Sequence, residues 1–483
     1  MDNLNYFIKD GKGILYDEKN IITYEGEFKF NKFNGNGKLY YDNSVLGFEG
    51  EFKNGEIYDG KPYLKDNGRL LYEGPFKNWK FDGYGQCFYE DGYYFGYFQE
   101  GKRHGEGILY DKNDNLIYSG NFKLDKHDGF GKLKEDDGKY YEGEFRDDVK
   151  QGKGKTFDKN GKLLYEGDYK NDKFEGYGTY YLENECIYKG QFINGQSHGK
   201  GKLYDENENT IYDGDFSKAY MEGEGFWKEE DGSYYIGQIR ENKKNGKGIL
   251  YAKNNKIKYQ GEFKNDNIDG EGTLFNEEGG FYIEQFKDDK MHGRGIAHDK
   301  DGNIIYEGEF KNNEFDGKGK LYLDNGNFYE GEFINGKYHG KGKLFFENGN
   351  FYEGEFINGK SHGKGIIKNK NNETVYEGEF KYGNFENGTL YFTNGKYIGQ
   401  FIDNKRSKGK LYKYNKLIYD GEFKNDKYEG NGTLYFDNDY IYFVEFKNNK
   451  MEGTKIIYDK NWKEKYKGQF INGELVDKIC NIF

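Results

Sequence analysis

YEGEFINGKYHGKGKLFFENGNF (329–351) is the stretch whose reading decides the fold. Tyr329, Gly331 and Phe333 alternate with Glu330 and Glu332. An extended chain puts the first three on one side and the two acids on the other. Gly340, Gly342 and Leu344 alternate in the same way with Lys341 and Lys343. The period is two, not the 3.6 of an amphipathic helix. Between the two runs stands Asn335-Gly336. Asn-Gly is the strongest short hairpin signal, because both residues tolerate positive φ. A second turn follows at Glu347-Asn348-Gly349-Asn350. The stretch reads as one β-hairpin and its exit turn.

The same reading extends over nearly the whole chain. A Tyr-x-Gly-x-Phe anchor recurs in 20 copies from Tyr24 to Tyr466, mostly 23 or 24 residues apart. Its first position is Tyr except at Phe48, its third Gly except at Glu284 and Val444, and its fifth Phe except at Tyr169 and Ile239. Gly-x-Gly follows in most copies, as at Gly35-x-Gly37 and Gly105-x-Gly107, and an orphan Gly11-x-Gly13 precedes the first anchor. The 23 against 24 spacing falls mainly in the turns between units, where one residue costs little. The repetition also disposes of a false motif. GEFINGKS (354–361) satisfies the phosphate-loop pattern, but it is the counterpart of GEFINGKY at 331 and GQFINGQS at 190. No helical period follows it, and a phosphate loop needs a helix N-terminus there.

Repeated hairpins in series predict an all-β fold: an elongated, twisted, single-layer antiparallel meander of about 20 tandem hairpins. One hairpin cannot bury enough to fold alone, so each depends on its neighbours. Forty strands give a body about 190 Å long if uncoiled. Glycine in mid-strand usually weakens a sheet. Placed this regularly it reads as a hollow that a Tyr or Phe ring from a neighbouring strand covers. The expected organisation is an N-terminal half-repeat cap at 1–23, a tandem array at 24–471 and an apolar C-terminal cap at 472–483, which includes Leu475, Val476, Ile479, Ile482 and Phe483. Irregular copies mark bends or boundaries: 48–71 with Pro62, the short copies 376–396 and 397–418, and the copies with Glu284 and Val444.

Composition agrees with this and excludes several classes. Tyr (49) and Phe (41) supply over half of the apolar side chains, whereas Ala occurs three times. Such a chain favours strands over helices. The net charge is −12, with both signs interleaved and no basic block of five or more. Nucleic-acid binding is therefore not expected. Three scattered cysteines, Cys87, Cys186 and Cys480, form no C-x-x-C, which fits a reducing compartment and neither a disulfide framework nor a zinc site. No apolar run reaches the roughly 20 residues of a membrane span, and the N-terminus lacks a signal-peptide core. The expected location is cytoplasmic.

The Tyr-Glu-Gly-Glu-Phe, Asn-Gly-Lys and His-Gly-x-Gly elements at 23-residue spacing closely resemble the MORN repeat (membrane occupation and recognition nexus). The resemblance runs from about residue 6 to 475, and 329–351 is similar to a consensus copy. It implies a rod-like hairpin array. It also implies a scaffold at membranes, cytoskeletal structures or junctions, with binding of acidic phospholipids and dimerisation each known in the family. In some members the array precedes a catalytic domain, for which this chain leaves no room.

No residue cluster stands out as catalytic, cofactor-binding or metal-binding. His104, His198, His292, His339 and His362 sit ten residues after an anchor, where other copies carry Asp82, Asp316, Glu175 or Asn34. A metal ligand or catalytic base would not tolerate such exchanges, so these read as polar residues at a strand start. The paired glutamates of each anchor face alternating lysines and read as cross-strand charge pairs on a solvated face. The ring face is the candidate partner surface: Tyr306, Phe310, Tyr329, Phe333, Tyr352 and Phe356 are expected to be ladder rungs at the base, with ring edges offered to a partner. The expected function is a non-enzymatic scaffold for protein partners, with self-association through the C-terminal end. The alternative is a peripheral binder of acidic phospholipids through lysine-rich edges.

Overall fold

The computed structural model of the protein describes residues 10–437 and 440–479. Forty-two strands occur among the described residues, and no helix. The chain divides into two compact units, Met1–Lys243 and Lys244–Phe483. Within each unit, strands pair antiparallel with the strands before and after them. In the first, Leu163–Lys170 lies between Val149–Phe157 and Lys173–Tyr181. In the second, Phe351–Ile357 lies between Lys337–Phe345 and Lys360–Lys368. The hairpin meander expected from the two-residue period is the observed fold. The division at 243/244 has no counterpart in the sequence, where the anchors run through without change.

The orphan glycines belong to the first described strand, Asp10–Tyr16, which pairs with Ile22–Lys29 through Gly13 opposite Gly26. At the other end Glu474–Ile479 pairs with Glu464–Ile471, and Val476 is exposed. Ile482, Phe483 and the side chains of Leu475 and Ile479 lie outside the described residues. GEFINGKS folds as strand, turn and strand, with Phe356 opposite Ser361 and Ile357 opposite Lys360. The irregular copy at 48–71 thins the ladder. Its strand Glu56–Pro62 meets Tyr72–Lys77 only through Asp59 opposite Pro75 and Gly60 opposite Gly74. Pro62 and Pro75 have no N–H to offer a neighbour. The short copies remain paired throughout.

Hairpin turns take two positive φ values in succession, as at Asn335 (49°) and Gly336 (73°). That is the twist two-residue loops need. Many copies manage it without glycine, as at Asn265 (50°) with Asp266 (75°) and Asp288 (47°) with Asp289 (63°). An L-residue there is strained, and a hydrogen bond offsets the cost. Asp266 Oδ1 accepts the Lys244 N–H at 2.9 Å, and Asp289 Oδ1 accepts the Ile268 N–H at 2.7 Å. Each such bond ties a turn to the preceding hairpin. The Asn-Gly copies gain conformational ease instead.

The two glycines of Gly-x-Gly do different work. In the hairpin 328–345, Gly331 faces Gly342 but Glu332 faces His339, which leaves Gly340 and Lys341 as extra residues in a bulge. Gly340 takes φ +56° there, and its missing Cβ makes room for the Glu332 carboxylate. Gly342 and Gly331 together form a cradle, since a Cβ on either would collide with the Tyr329 hydroxyl end. The ring thus comes from one of the two strands it covers, not from a third. The hydroxyl then donates to the Glu332 carbonyl at 2.9 Å, the acceptor stranded by the bulge. This explains Tyr rather than Phe at the anchor: a part-buried carbonyl needs a donor. The bond recurs in copy after copy, from Tyr24 to Glu27 and from Tyr419 to Glu422.

Candidate functional site

The anchor rings are closed over. Tyr329 meets Phe333 edge-on with centroids 5.0 Å apart, stacks on Tyr338 at 4.0 Å, and meets Phe356 of the next repeat edge-on at 5.0 Å. Tyr306 is boxed in the same way by Phe310, Phe315 and Phe333. All six residues of the candidate partner surface are 0–3% exposed. They are rungs, covered by one another and by the half-buried Phe315 and Tyr338, so these six offer no ring edge to a partner. Burial, with Glu332 and Glu309 next in effect, pushes the Tyr329 and Tyr306 hydroxyls far up. Tyr259, where burial also dominates, is raised to about 12. Such phenols are donors only near neutral pH and have no acid–base use.

Sequence reasoning missed the third ring of each box. It lies nine residues after the anchor and is Phe33, Phe174, Phe315 or Phe385 in some copies and Tyr338 or Tyr428 in others. Elsewhere a cation fills the place: the Arg103 guanidinium carbon lies 5.1 Å from the Phe122 ring centre, and Lys150 Nζ lies 5.0 Å from that of Tyr141. His127 takes it once, stacked on Tyr118 at 3.9 Å. No single letter marks the position. Its signal is an Asn-Gly, Asp-Asp or similar turn just before it and the bulge glycine two residues after.

The opposite face is polar and open. Lys343 Nζ lies 3.2 Å from Glu353, Lys155 Nζ 3.0 Å from Glu166, and Lys202 Nζ 2.7 Å from Asp213, with every partner about half exposed. These are the cross-strand pairs expected from the sequence. Each contributes little to stability in water, so their importance lies in the surface they form. That surface holds a trough of 1020 Å³ in each unit. In the second unit the floor is backbone at Gly308, Gly319, Gly331, Gly342 and Gly354, and the walls are Arg294, Lys318, Lys341 and Lys364 facing Glu309, Glu332 and Glu355. In the first unit the lining is Lys153, Lys155, Lys189, Lys200 and Lys202 with Glu142, Glu166 and Asp213, and four rings, Phe157 and Tyr204 half-buried and Phe130 and Tyr177 exposed. Phe130 and Tyr177 are 57% and 62% exposed. Further toward the N-terminus of the same unit Tyr84 packs edge-on against Phe95 and Tyr97, at 4.9 and 5.0 Å, and all three are exposed.

Tyr84, Phe130 and Tyr177 all occupy the middle of a Gly-x-Gly, where most copies carry Lys, Arg or Glu. The sequence does contain this signal, a ring at a charged position, but a search for shared letters passes over it. Among the described residues no three His, Cys, Asp or Glu side chains converge as metal ligands would. The five histidines stand where strands begin beside the bulge, as His339 opposite Glu332 and His362 opposite Glu355 do.

Comparison with protein families agrees with the geometry. The family model described as MORN repeat matches residues 24–45, 94–115, 118–139, 141–162, 165–187, 188–210, 235–256, 259–279, 285–304, 306–328, 329–351, 352–373, 376–396 and 419–439. No curated protein sequence matches the chain. Among solved structures, an E1021V mutant of the TCP10 domain of Danio rerio CPAP is similar at 10% identity and a TM-score of 0.16, over 52% of this chain and 99% of that one. The dihydro-heme d1 dehydrogenase NirN, in complex with DHE, is similar at 13% identity and a TM-score of 0.13, over 77% of this chain and 72% of that one.

Proposed function

Because the chain belongs to the MORN repeat family, we propose that it is a non-enzymatic scaffold that binds protein partners along the polar face of its sheets. The two troughs carry this reading. The anchor rings are buried in their own ladder, whereas the polar face keeps exposed rings and long charged side chains around a backbone floor. Partly exposed aromatics within a polar rim are the usual anatomy of a partner surface. On this reading the protein works in the cytoplasm and associates with itself through its C-terminal end. Cross-linking mass spectrometry on partners captured with the intact chain is the test. Cross-links should fall on Lys153, Lys200, Lys341 and Lys364. Cross-links confined to positions outside both troughs would sink the proposal.

A second reading, a peripheral binder of acidic phospholipids, is favoured by one observation. Three hairpin tips in the first unit carry exposed apolar residues between lysines: Phe30 between Lys29 and Lys32, Trp79 between Lys77 and Lys80, and Leu124 between Lys123 and Lys126. An aromatic tip beside ammonium groups suits an anionic membrane interface. No helix among the described residues is long and apolar enough to cross a membrane. Sedimentation with phosphatidylserine vesicles at low salt should carry the protein down, and changing all three tip residues to Ser should release it. Absence of sedimentation at low salt rejects this reading.

A further inference from the structure

Phe130 and Tyr177 occupy the same repeat position, two repeats apart, on the wall of the first trough. Phe130 lies on Lys126–Lys134 and Tyr177 on Lys173–Tyr181, four strand steps away. Four steps of ~4.8 Å separate them by about 19 Å along the trough. The equivalent residue of the repeat between them is Lys153, and that of the repeat beyond Tyr177 is Lys200. The wall therefore reads ring, ammonium, ring, ammonium, one every ~9.6 Å.

A polyproline-II helix rises ~3.1 Å per residue with three residues per turn, so it shows one face again every ~9.3 Å. One turn of such a segment matches one repeat. An α-helix fits worse. Covering 19 Å takes about 13 residues at 1.5 Å each, which at 3.6 residues per turn brings the side chain round to the far side. The rings supply the second requirement, since proline-rich segments dock in aromatic-lined grooves.

Charge supplies the third. The trough is lined by five lysines against Glu142, Glu166 and Asp213. The Asp168 and Asp215 carboxylates, which pair with Lys153 and Lys200, lean toward the bulge glycines Gly176 and Gly223 and do not line the trough. The Lys153 and Lys200 side chains remain more than 70% exposed.

We infer that the first trough binds a polyproline-II segment of a partner protein, with prolines against Phe130 and Tyr177 and acidic side chains three residues on, against Lys153 and Lys200. This rests on the scaffold reading and adds the class of partner.

The probe is a fluorescein-labelled polyproline dodecamer with glutamate at its fourth and tenth positions, titrated with the intact chain in fluorescence anisotropy. It should bind about tenfold more tightly than the same peptide with lysine at those positions, or than a Gly-Ser peptide keeping the glutamates. Phe130→Ala with Tyr177→Ala should weaken it about tenfold or more. Circular dichroism should show the double variant melting within about 2 °C of the parent, because both rings are exposed. Equal binding of the three peptides, or no effect of the double variant, overturns the inference. So does loss of phosphatidylserine-vesicle binding in that variant without loss of peptide binding, which would make the rings lipid contacts. A cross-linked partner in the trough together with a non-binding probe would defeat this inference and leave the scaffold reading standing.

Discussion

The repeats that begin at Tyr329 and at Tyr442 share an anchor, a turn and a return strand, yet their tyrosines end in different places. Tyr329 is wholly buried over Gly331 and Gly342. The equivalent pair in the later repeat is Val444 and Lys455, both buried. Tyr442 is only half-buried and packs on Phe436, with centroids 4.3 Å apart. Lys455 Nζ sits 4.0 Å from the Tyr442 ring centre, and burial holds the ammonium below its usual range. The tyrosine and its two glycines are thus one device. Without the hollow, the ring leaves the ladder and other side chains take its place.

The largest effect should come from breaking the device where it is intact. Gly342→Val puts branched carbons where the Tyr329 ring lies, in a site closed by Phe333, Tyr338 and Phe356. The expected loss is about 3 kcal/mol. It should appear as faster amide exchange across 328–357 and a lower melting midpoint by circular dichroism. Unchanged exchange in those strands would refute the cradle.

Tyr329→Phe leaves the ring and removes only the hydroxyl. The Glu332 carbonyl, which accepts that hydroxyl at 2.9 Å, then lacks its donor beside the bulge. The expected cost is about 1–2 kcal/mol, smaller than that of the glycine change and read by the same exchange measurement. Phe48 is the natural instance of this replacement, and its hairpin is the one that Pro62 ends. A Tyr329→Phe variant as stable as the parent would mean that the hydroxyl is incidental.

What was legible in advance follows from what repeats. The two-residue period, the Asn-Gly turns and the 23-residue spacing are stated by letters that recur, and they imply hairpins and their order. The sorting of Gly340 into a bulge and Gly342 into a cradle is not, because both are the same letter in one motif. The third ring escaped for the opposite reason: Phe174, His127, Arg103 and Lys150 are different letters that perform one packing task. The trough was half legible. Its Lys–Glu walls follow from alternation, but the rings at Phe130 and Tyr177 are departures from the repeat. The expectation that Tyr352 and Phe356 would show their edges failed because a lone strand cannot reveal that the next repeat's Phe closes each box.

Glu284 sharpens the comparison from the other side. It too replaces a cradle glycine, but its partner Gly295 is retained and Tyr282 stays 4% exposed. The ring keeps its place because the backbone gives way: Glu284 sits at φ 121° and its side chain lines the second trough. Such a conformation is strained for any residue but glycine. Glu284→Gly should therefore stabilise the protein by about 1 kcal/mol, seen as a higher melting midpoint. A lower midpoint would show that the carboxylate gives the fold more than the strained backbone takes.

The smallest effect concerns His127, the one imidazole in the third-ring column. It stacks on Tyr118, and its Nδ1 lies 3.3 Å from Asp148 Oδ1. Burial lowers its pKa from the ordinary 6.5, Asp148 opposes that shift, and Arg103 adds to it. In the window between the depressed value and 6.5 the unfolded chain binds more protons than the folded one, so stability falls as the pH drops through it. Below the folded value the loss is complete and the slope vanishes. His127→Phe installs the ring found at Phe174 and Phe315 and cannot titrate. The drop in melting midpoint between about pH 7.5 and pH 5 should shrink by about a degree in this variant. If the two proteins lose stability in parallel, the imidazole takes its proton as readily in the folded chain as in the unfolded one, and the column is indifferent to its charge.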